Sequence, residues 1–593
     1  ANSLTTDPDG TTKINGDITT KGTQTYNDPV TLANSITFTT TNNNLTFNNT
    51  LEGTNANKEN LILNTGSGNI TFSGSIGKTT PLGNITANSS GITNFGNSVN
   101  ATTIITDTDG STKINGNITT TDDQTYNDIL TLTNSAALTT TNNGNLTFNN
   151  TIDGTTAGTE NLTLSVGNGN INFSSNIGNT TPLGNITANS SGLTNFSSTV
   201  KAASITTDAS GVTKINADIT TTGDQTYNDI LTLTNSDALR ATNNGNLTFN
   251  NTIDGTTAGT ENLSLTTASG NITLKSPLGS TTKLGNLTIN NFGTLNITDT
   301  AAINLEGKFN QTGSGAVNIA SDITTNNQDI KFSGPVTLNG QVNFNLGTAK
   351  IAFGSSLAAG DNPLTLTASE IDFGGQVTGT NKLILQPVNA SQNISIGSSN
   401  NNTDALDLTS DEINQFQKGF SSIVIGRTDS FGAITIENNV TFKSPVTIQS
   451  PETGGTITAK GQITIDAATL DLIADRNIIT TDIISGGGNI SLLSKNGEIF
   501  TGTLDASSTN SAGGTINLNA PGNIITNNIF SAAKGNGGKG GGINLTSGGN
   551  IETKLGDIDS SSVNDTGGAI TLKANGYITT ANINSSSGQA DAG

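Results

Sequence analysis

The sequence predicts an all-β fold: a right-handed parallel β-helix (β-solenoid) in the form of an elongated rod, with one short helix near 410–418. Three observations predict it, namely repeats throughout the chain, short segments that alternate polar and apolar residues, and turns rich in Asn and Gly. Repeats of roughly 20 to 50 residues are typical of solenoids, because a single coil buries its apolar face only against its neighbours.

A unit about 101 residues long occurs three times in the first part of the chain. QTYNDPVTL at 24–32 returns as QTYNDILTL at 124–132 and at 225–233, and PLGNITANSSG begins at Pro81 and again at Pro182. We therefore predict three β-solenoid superrepeats over 1–300.

An aromatic residue marks the series, four positions before a Val or Leu. The five marker residues are Tyr26, Tyr126, Tyr227, Phe332 and Phe442. The last two predict a second region, 301–450, of two degenerate superrepeats with a short helical insertion near 409–419.

A shorter period stands alone in the third region, 451–593. Segments that follow Gly-rich turns place Ile at 490, 516, 543 and 570. Coils of about 27 residues that open on Gly-Gly follow from this spacing.

The strands and their corners follow from local chemistry. In Asn69-Ile70-Thr71-Phe72 every second residue is apolar, which predicts one inward and one outward face. Asn and Gly suit corners because they tolerate positive φ. Five prolines stand where strands are predicted to start, where a missing N–H does least damage: Pro29, Pro81, Pro182, Pro335 and Pro445.

The predicted helix is the one break in the β pattern. Thr409 to Glu412 forms a capping box, Ile413, Phe416 and Gln417 follow at helical spacing, and Gly419 is placed to end the helix. The chain is predicted to return to strand at 422–425.

Composition excludes several functions. The chain has no Cys and no His, which excludes the usual zinc site, a thiol nucleophile and a His-based triad. Its net charge of -21, with Arg only at 240, 427 and 476, argues against nucleic acid as a partner. The chain contains no apolar run of roughly 18 residues, so we predict no transmembrane helix.

Two short motifs have both a functional and a structural interpretation. D-x-D-G at Asp7 to Gly10 and at Asp107 to Gly110 could begin a Ca²⁺ loop, but the other ligands are missing and the third copy is Asp208-Ala209-Ser210-Gly211. We predict plain acidic turns, with weak Ca²⁺ binding as the alternative. Lys534 to Gly542 is Gly-rich but lacks the G-K-[ST] ending of a phosphate-binding loop, so we predict a mobile corner loop.

The recurring aromatic residues have two interpretations as well. They could form a platform for stacking glycans. However, copies about 100 residues apart lie several coils apart, so packing in the core or at a corner is favoured.

Three segments resemble the filamentous haemagglutinin family, the large β-helical exoproteins of two-partner secretion. These are GGNISLLSKNGEIFTGTLDASSTNSAGGTINLNAPGNIITNNI at 487–529, with GGINLTSGGNIETKLGDIDSSS at 541–562, and LTSDEINQFQKGFSSIVIGRTDSFGAITI at 408–436. The last is similar to a helix-then-strand insertion of such exoproteins in cyanobacteria and related bacteria. The resemblance implies a β-helix and a secreted protein of the bacterial cell surface, and it implies no ligand.

We therefore expect an extracellular structural or adhesive protein, not an enzyme, that forms a surface fibre by stacking coils, with self-association into filaments. Its other expected partner is a host or neighbouring cell surface or its glycans. We predict no catalytic, cofactor-binding or metal-ligating residue. The alternatives are a β-helix that binds or cleaves carbohydrate and a component of a surface layer. Because the chain starts and stops inside repeats, we expect it to be a piece of a longer secreted protein.

Overall fold

The computed structural model describes residues 1–399, 404–535 and 537–588. It has two compact units, Ala1–Gly307 and Lys308–Gly593. Each is a parallel β-solenoid, and the described residues make about 26 turns with one short helix. This confirms the predicted all-β, right-handed parallel β-helix.

The first unit contains strands β1 to β37, which connect through short turns. In chain order they are Leu4–Thr5, Thr12–Ile14, Ile18–Thr20, Gln24–Tyr26, Val30–Leu32, Ile36–Thr40, Leu45–Phe47, Leu51–Gly53, Leu61–Gly66, Ile70–Phe72, Leu82–Ser89, Ile92–Phe95, Val99–Thr106, Ser111–Ile114, Ile118–Thr120, Gln124–Tyr126, Ile129–Leu132, Ala136–Thr140, Leu146–Phe148, Ile152–Asp153, Leu162–Ser165, Ile171–Phe173, Leu183–Asn189, Leu193–Phe196, Val200–Thr207, Val212–Ile215, Ile219–Thr221, Gln225–Tyr227, Ile230–Leu233, Asp237–Ala241, Leu247–Phe249, Ile253–Gly255, Leu263–Thr267, Ile272–Leu274, Leu287–Asn291, Leu295–Ile297 and Ile303–Asn304.

The second unit contains strands β38 to β72 and the helix α1, Ser410–Gln415, which lies between β51 and β52. In chain order its strands are Phe309–Gln311, Val317–Ile319, Ile323–Thr324, Ile330–Phe332, Val336–Leu338, Phe344–Asn345, Lys350–Phe353, Leu357–Ala358, Leu364–Ala368, Glu370–Phe373, Val377–Thr378, Lys382–Pro387, Asn393–Ser398, Ala405–Thr409, Ser422–Ile425, Ala433–Ile436, Val440–Phe442, Val446–Ser450, Thr456–Ala459, Ile463–Ile465, Leu470–Ala474, Ile478–Ile479, Ile483–Ile484, Ile490–Ser494, Ile499–Phe500, Leu504–Asp505, Ile516–Ala520, Ile524–Ile525, Ile529–Phe530, Ile543–Ser547, Ile551–Glu552, Ile558–Asp559, Ile570–Ala574, Ile578–Thr579 and Ile583–Asn584.

Like residues stack on like residues because the strands pair in parallel, coil upon coil. Leu45 pairs with Ile70 and Phe47 with Phe72, so that each inward side chain lies over its counterpart. Along β6, Ile36–Thr40, the first, third and fifth residues are buried and the others half-buried. The core is therefore a narrow interior of aliphatic and aromatic columns.

The corners are built as the composition predicted. Gly10, Gly110 and Gly211 take φ of 91°, 86° and 91° at the same turn of each superrepeat, a conformation that costs an L side chain free energy. Each of the five prolines named above directly precedes a strand, as Pro29 precedes Val30 and Pro445 precedes Val446.

The helix forms where the sequence predicts it but ends earlier. The capping box of Thr409 and Glu412 is present, and the predicted strand 422–425 is β52. The helix stops at Gln415, so the prediction that it runs to 418 is wrong. Phe416 instead takes an extended conformation, bridges Val377 and packs its ring against Phe373. Core packing of this ring therefore outweighs local helix propensity.

One coil of the second unit is much longer than the others. Hydrogen bonds between stacked coils typically join residues 21 to 25 apart, but Ala433 and Asn393 are joined across 40 residues. The additional residues of this coil include β51, Ala405–Thr409, and α1. We call residues 405–416 the inserted segment. Within the described residues no helix is long and apolar enough to cross a membrane.

Candidate functional site

The D-x-D-G turns lie at a corner of the coils. Asp7 and Asp9 are exposed, and in the third copy the Ser190 N–H donates to Asp208 Oδ1 at 3.1 Å. That carboxylate therefore ties one coil to the next. In the described part of the chain no group of three or more acidic side chains is arranged to hold a metal ion.

The Gly-rich segment from Lys534 to Gly542 lies between β66 and β67 and contains both exposed and buried residues. Asn536 lies outside the described residues. Lys534 lies 3.6 Å from Asp505 and 5.5 Å from the centre of the Phe530 ring. A Cβ on Gly541 would lie 2.3 Å from the Gly514 carbonyl oxygen, so glycine is needed here for close packing. The segment connects two strands and is therefore a corner, while its mobility stays a prediction.

The recurring aromatic residues point inward. Tyr26, Tyr126, Tyr227, Phe332 and Phe442 are each at most 1% exposed. A glycan cannot stack on a ring that solvent does not reach, so the interpretation as core packing is correct.

Each of these residues in the first unit begins or joins a column of stacked rings that the sequence analysis missed. Tyr126, Phe148, Phe173 and Phe196 lie over one another in successive coils, with ring centres 5.4, 5.1 and 5.1 Å apart and planes within 9° of parallel. Offset stacking at such distances stabilises beyond the area it buries. The recurrence of Phe about every 25 residues is the signal that could have revealed the column.

A buried carboxylate recurs beside each Tyr. Asp128 accepts from the Thr106 hydroxyl at 2.7 Å and from the Thr112 hydroxyl at 2.8 Å, and Asp229 has the equivalent bonds to Thr207 and Thr213. Burial raises the pKa of Asp128 and of Asp229, although the hydroxyls oppose this effect. Through these hydrogen bonds the carboxylate connects two segments of the preceding coil to the coil that contains it.

Replacing one of the two hydroxyl donors tests how much these hydrogen bonds contribute to stability. Thr112→Val keeps the shape but removes a buried hydrogen bond to a charged group, and we expect a loss of about 1 to 3 kcal/mol in the free energy of unfolding. Urea unfolding followed by circular dichroism measures it. The outward, half-buried Thr147→Val is the control and should change stability little; equal effects would contradict the assignment.

Asp237 is a buried carboxyl without a fastening role. It is 4% exposed, and neither of its oxygens has a hydrogen-bond partner. It begins β30 at the position that Ile36 holds in β6 and Ala136 in β18. Burial, together with the nearby Asp218 carboxylate, raises the pKa of Asp237 to about 7. No signal in the sequence of the third superrepeat alone would have identified it.

A second cluster of acids lies in the second unit, where the inserted segment meets β47, Glu370–Phe373. Glu370 and Asp372 come from β47, Asp407 from β51 and Glu412 from α1. The Asp407 N–H donates to Glu370 Oε2 at 3.1 Å, and the Phe373 N–H donates to Glu412 Oε1 at 2.9 Å. These side chains belong to a seam between strands and are not arranged as metal ligands.

The outward positions of the first unit form columns of short polar side chains. Thr25, Thr46 and Thr71 pair in successive coils, and Thr163 pairs with Thr187. The same outward position is Thr86, Thr187 and Thr288 in the three superrepeats. The outer surface thus repeats one chemistry many times.

These features define the chain as a repeat protein of the parallel β-solenoid class. Comparison with family models, with curated proteins and with solved structures finds no match.

Proposed function

We propose that the chain is a structural and adhesive protein of a bacterial cell surface, in which stacked coils present repeated outward columns to a neighbouring surface. The observation that carries the proposal is the recurrence of Thr at 86, 187 and 288 on the outer face. Each contact of a short hydroxyl is weak, but contacts repeated on one rigid scaffold act together and give avidity.

The resemblance of 487–529 and 408–436 to filamentous haemagglutinin exoproteins supports the same function and an extracellular location. Self-association into filaments would use the edges of coils, because an uncovered strand edge offers N–H and C=O groups to the strand of another copy. Contacts of this head-to-tail kind do not close, so they propagate.

Adhesion of beads that carry the whole chain at graded densities tests the proposal. We expect retention on bacterial cells to rise steeply with density, as multivalent binding requires. Replacing Thr86, Thr187 and Thr288 together by Asp should weaken retention if that face makes the contact, and the matched change at Thr46, Thr147 and Thr248 tests another face.

Two results would overturn the proposal. One is retention that neither set of substitutions changes and that saturates as a single site does. The other is release of sugar products from polysaccharides by the purified chain, which would favour a carbohydrate-cleaving β-helix.

A further inference from the structure

One ladder of stacked strands in the second unit, β38–β41–β44–β47, ends at β47, Glu370–Phe373. β47 pairs with β44, Lys350–Phe353, along one edge, from Lys350 opposite Glu370 to Phe353 opposite Phe373. Within the described residues no strand pairs with its other edge: β51 packs beside it but belongs to the sheet that continues through β50 and β53. Backbone hydrogen bonds therefore do not hold the inserted segment to β47.

Two carboxyl groups take the place of those backbone bonds. Glu370 accepts from the N–H of Asp407 on β51, and Glu412 on α1 accepts from the N–H of Phe373 on β47. Glu412 also accepts from the Thr409 N–H at 2.8 Å and thereby holds the start of the helix. The contact between the inserted segment and β47 therefore depends on the state of two carboxyl groups.

The seam has more negative than positive groups. Facing Glu370 are Lys350 from β44, Asp372 from its own strand, Asp407 from β51 and Glu412 from α1. The one cation among them, Lys350, forms its ion pair with Asp372. Glu370 Oε1 and Asp372 Oδ1 are buried without a hydrogen-bond partner. Full ionisation would therefore place four negative charges around one lysine.

We propose that the inserted segment, 405–416, is a pH-sensitive latch on β47, seated while Glu370 carries a proton and released when Glu370 is ionised. Release would uncover the ring of Phe373, against which Phe416 packs with ring centres 5.4 Å apart. The latch lies on the solenoid scaffold and does not depend on what the outer columns bind.

The direction of the pH effect follows from the shifts at the seam. Burial, then the nearby carboxylates of Asp372, Glu412 and Asp407, raise the pKa of Glu370 to about 8, although the Asp407 N–H opposes the shift. Burial also raises the pKa of Glu412. Because the pKa of Glu370 is raised while the inserted segment is seated, protonation of Glu370 stabilises the seated state. This stabilisation is fully present below pH 4.5, the ordinary pKa of a Glu side chain, and is lost as pH rises through about 8.

Hydrogen exchange of the whole chain, measured by mass spectrometry from pH 5 to pH 9, tests the latch. Each rate is divided by the intrinsic exchange rate at that pH, and peptides that cover 405–416 are compared with peptides of β58, Leu470–Ala474, in an unbroken ladder. We expect the opening of 405–416 to rise by up to about tenfold per pH unit and to level off above about pH 8. The β58 peptides should show no such rise.

Three variants separate the latch from general destabilisation. Glu370→Gln, a neutral side chain that keeps an acceptor oxygen, should abolish the rise, and Asp372→Asn should reduce it. Asp411→Asn alters an exposed acid of the same helix and should leave the rise unchanged. Opening that is independent of pH in the native chain, or an undiminished rise in Glu370→Gln, would overturn the proposal.

Discussion

Phe173→Ala is expected to lower the free energy of unfolding by about 3 to 5 kcal/mol, the largest single effect that we predict in the first unit. Phe173 is 1% exposed and stacks on Phe148 below and Phe196 above, each with ring centres 5.1 Å apart. The substitution leaves a cavity in the middle of a column and removes two ring contacts at once. Because each coil of a solenoid is stabilised by its two neighbours, the loss reaches three coils.

Urea unfolding and hydrogen exchange of peptides from 146–196 measure this effect. The control is Asn172→Ala, one residue away on the outward face of the same strand, which should cost far less. Exchange should rise first in the second superrepeat and later elsewhere. A variant as stable as the control would show that the stacked rings do not hold these coils together.

The fold could be predicted because the same sequence pattern of strands and corners recurs in coil after coil. Leu45, Ile70 and their counterparts alternate with polar residues in short strands, and Asn or Gly follows at each corner, so local chemistry and the repeat agree at many places. The end of α1 could not be predicted in this way. Phe416 leaves the helix for a contact with Phe373, which is 43 positions earlier in the sequence and adjacent only in the folded chain.

The buried carboxylates also differ in how far the sequence could identify them, depending on whether they lie within a repeat. Asp128 and Asp229 recur within QTYND, so comparison of the repeats could have identified them, although not their two hydroxyl partners in the preceding coil. The contact of Glu370 with Asp407 spans 37 residues and occurs in a segment without a second copy. No repeat could therefore reveal it, and only the folding of the inserted segment onto β47 brings these groups together.

Asp237 is the clearest departure of one superrepeat from the others, and replacing it should stabilise the protein above neutral pH. Position 237 faces the core, where the first two superrepeats have Ile36 and Ala136, and its strand pairs with Leu263 as theirs pair with Leu61 and Leu162. Ionising a carboxyl there leaves a charge without a hydrogen-bond partner beside Asp218. Asp237→Ala installs the residue that the second superrepeat already accommodates.

The sign of the effect follows from the pKa of Asp237, raised to about 7 from its ordinary value of 3.8. The protonated carboxyl contributes stability that is fully present below about pH 4 and is lost as pH rises through 7. Asp237→Ala should therefore unfold at nearly the same urea concentration as the native chain at pH 4. It should be markedly more stable at pH 8.

Urea unfolding at pH 4, 6 and 8, with hydrogen exchange of peptides from 219–267, measures this difference. The matched control is Asp218→Asn, which keeps the oxygen that accepts from the Ala238 N–H while it removes the neighbouring charge, and it should recover only part of the gain. Equal pH dependence in the native chain and in Asp237→Ala would mean that the carboxyl finds a partner or water in solution. In that case Asp237 would cost the third superrepeat no stability above neutral pH, and the absence of a hydrogen-bond partner would not hold in solution.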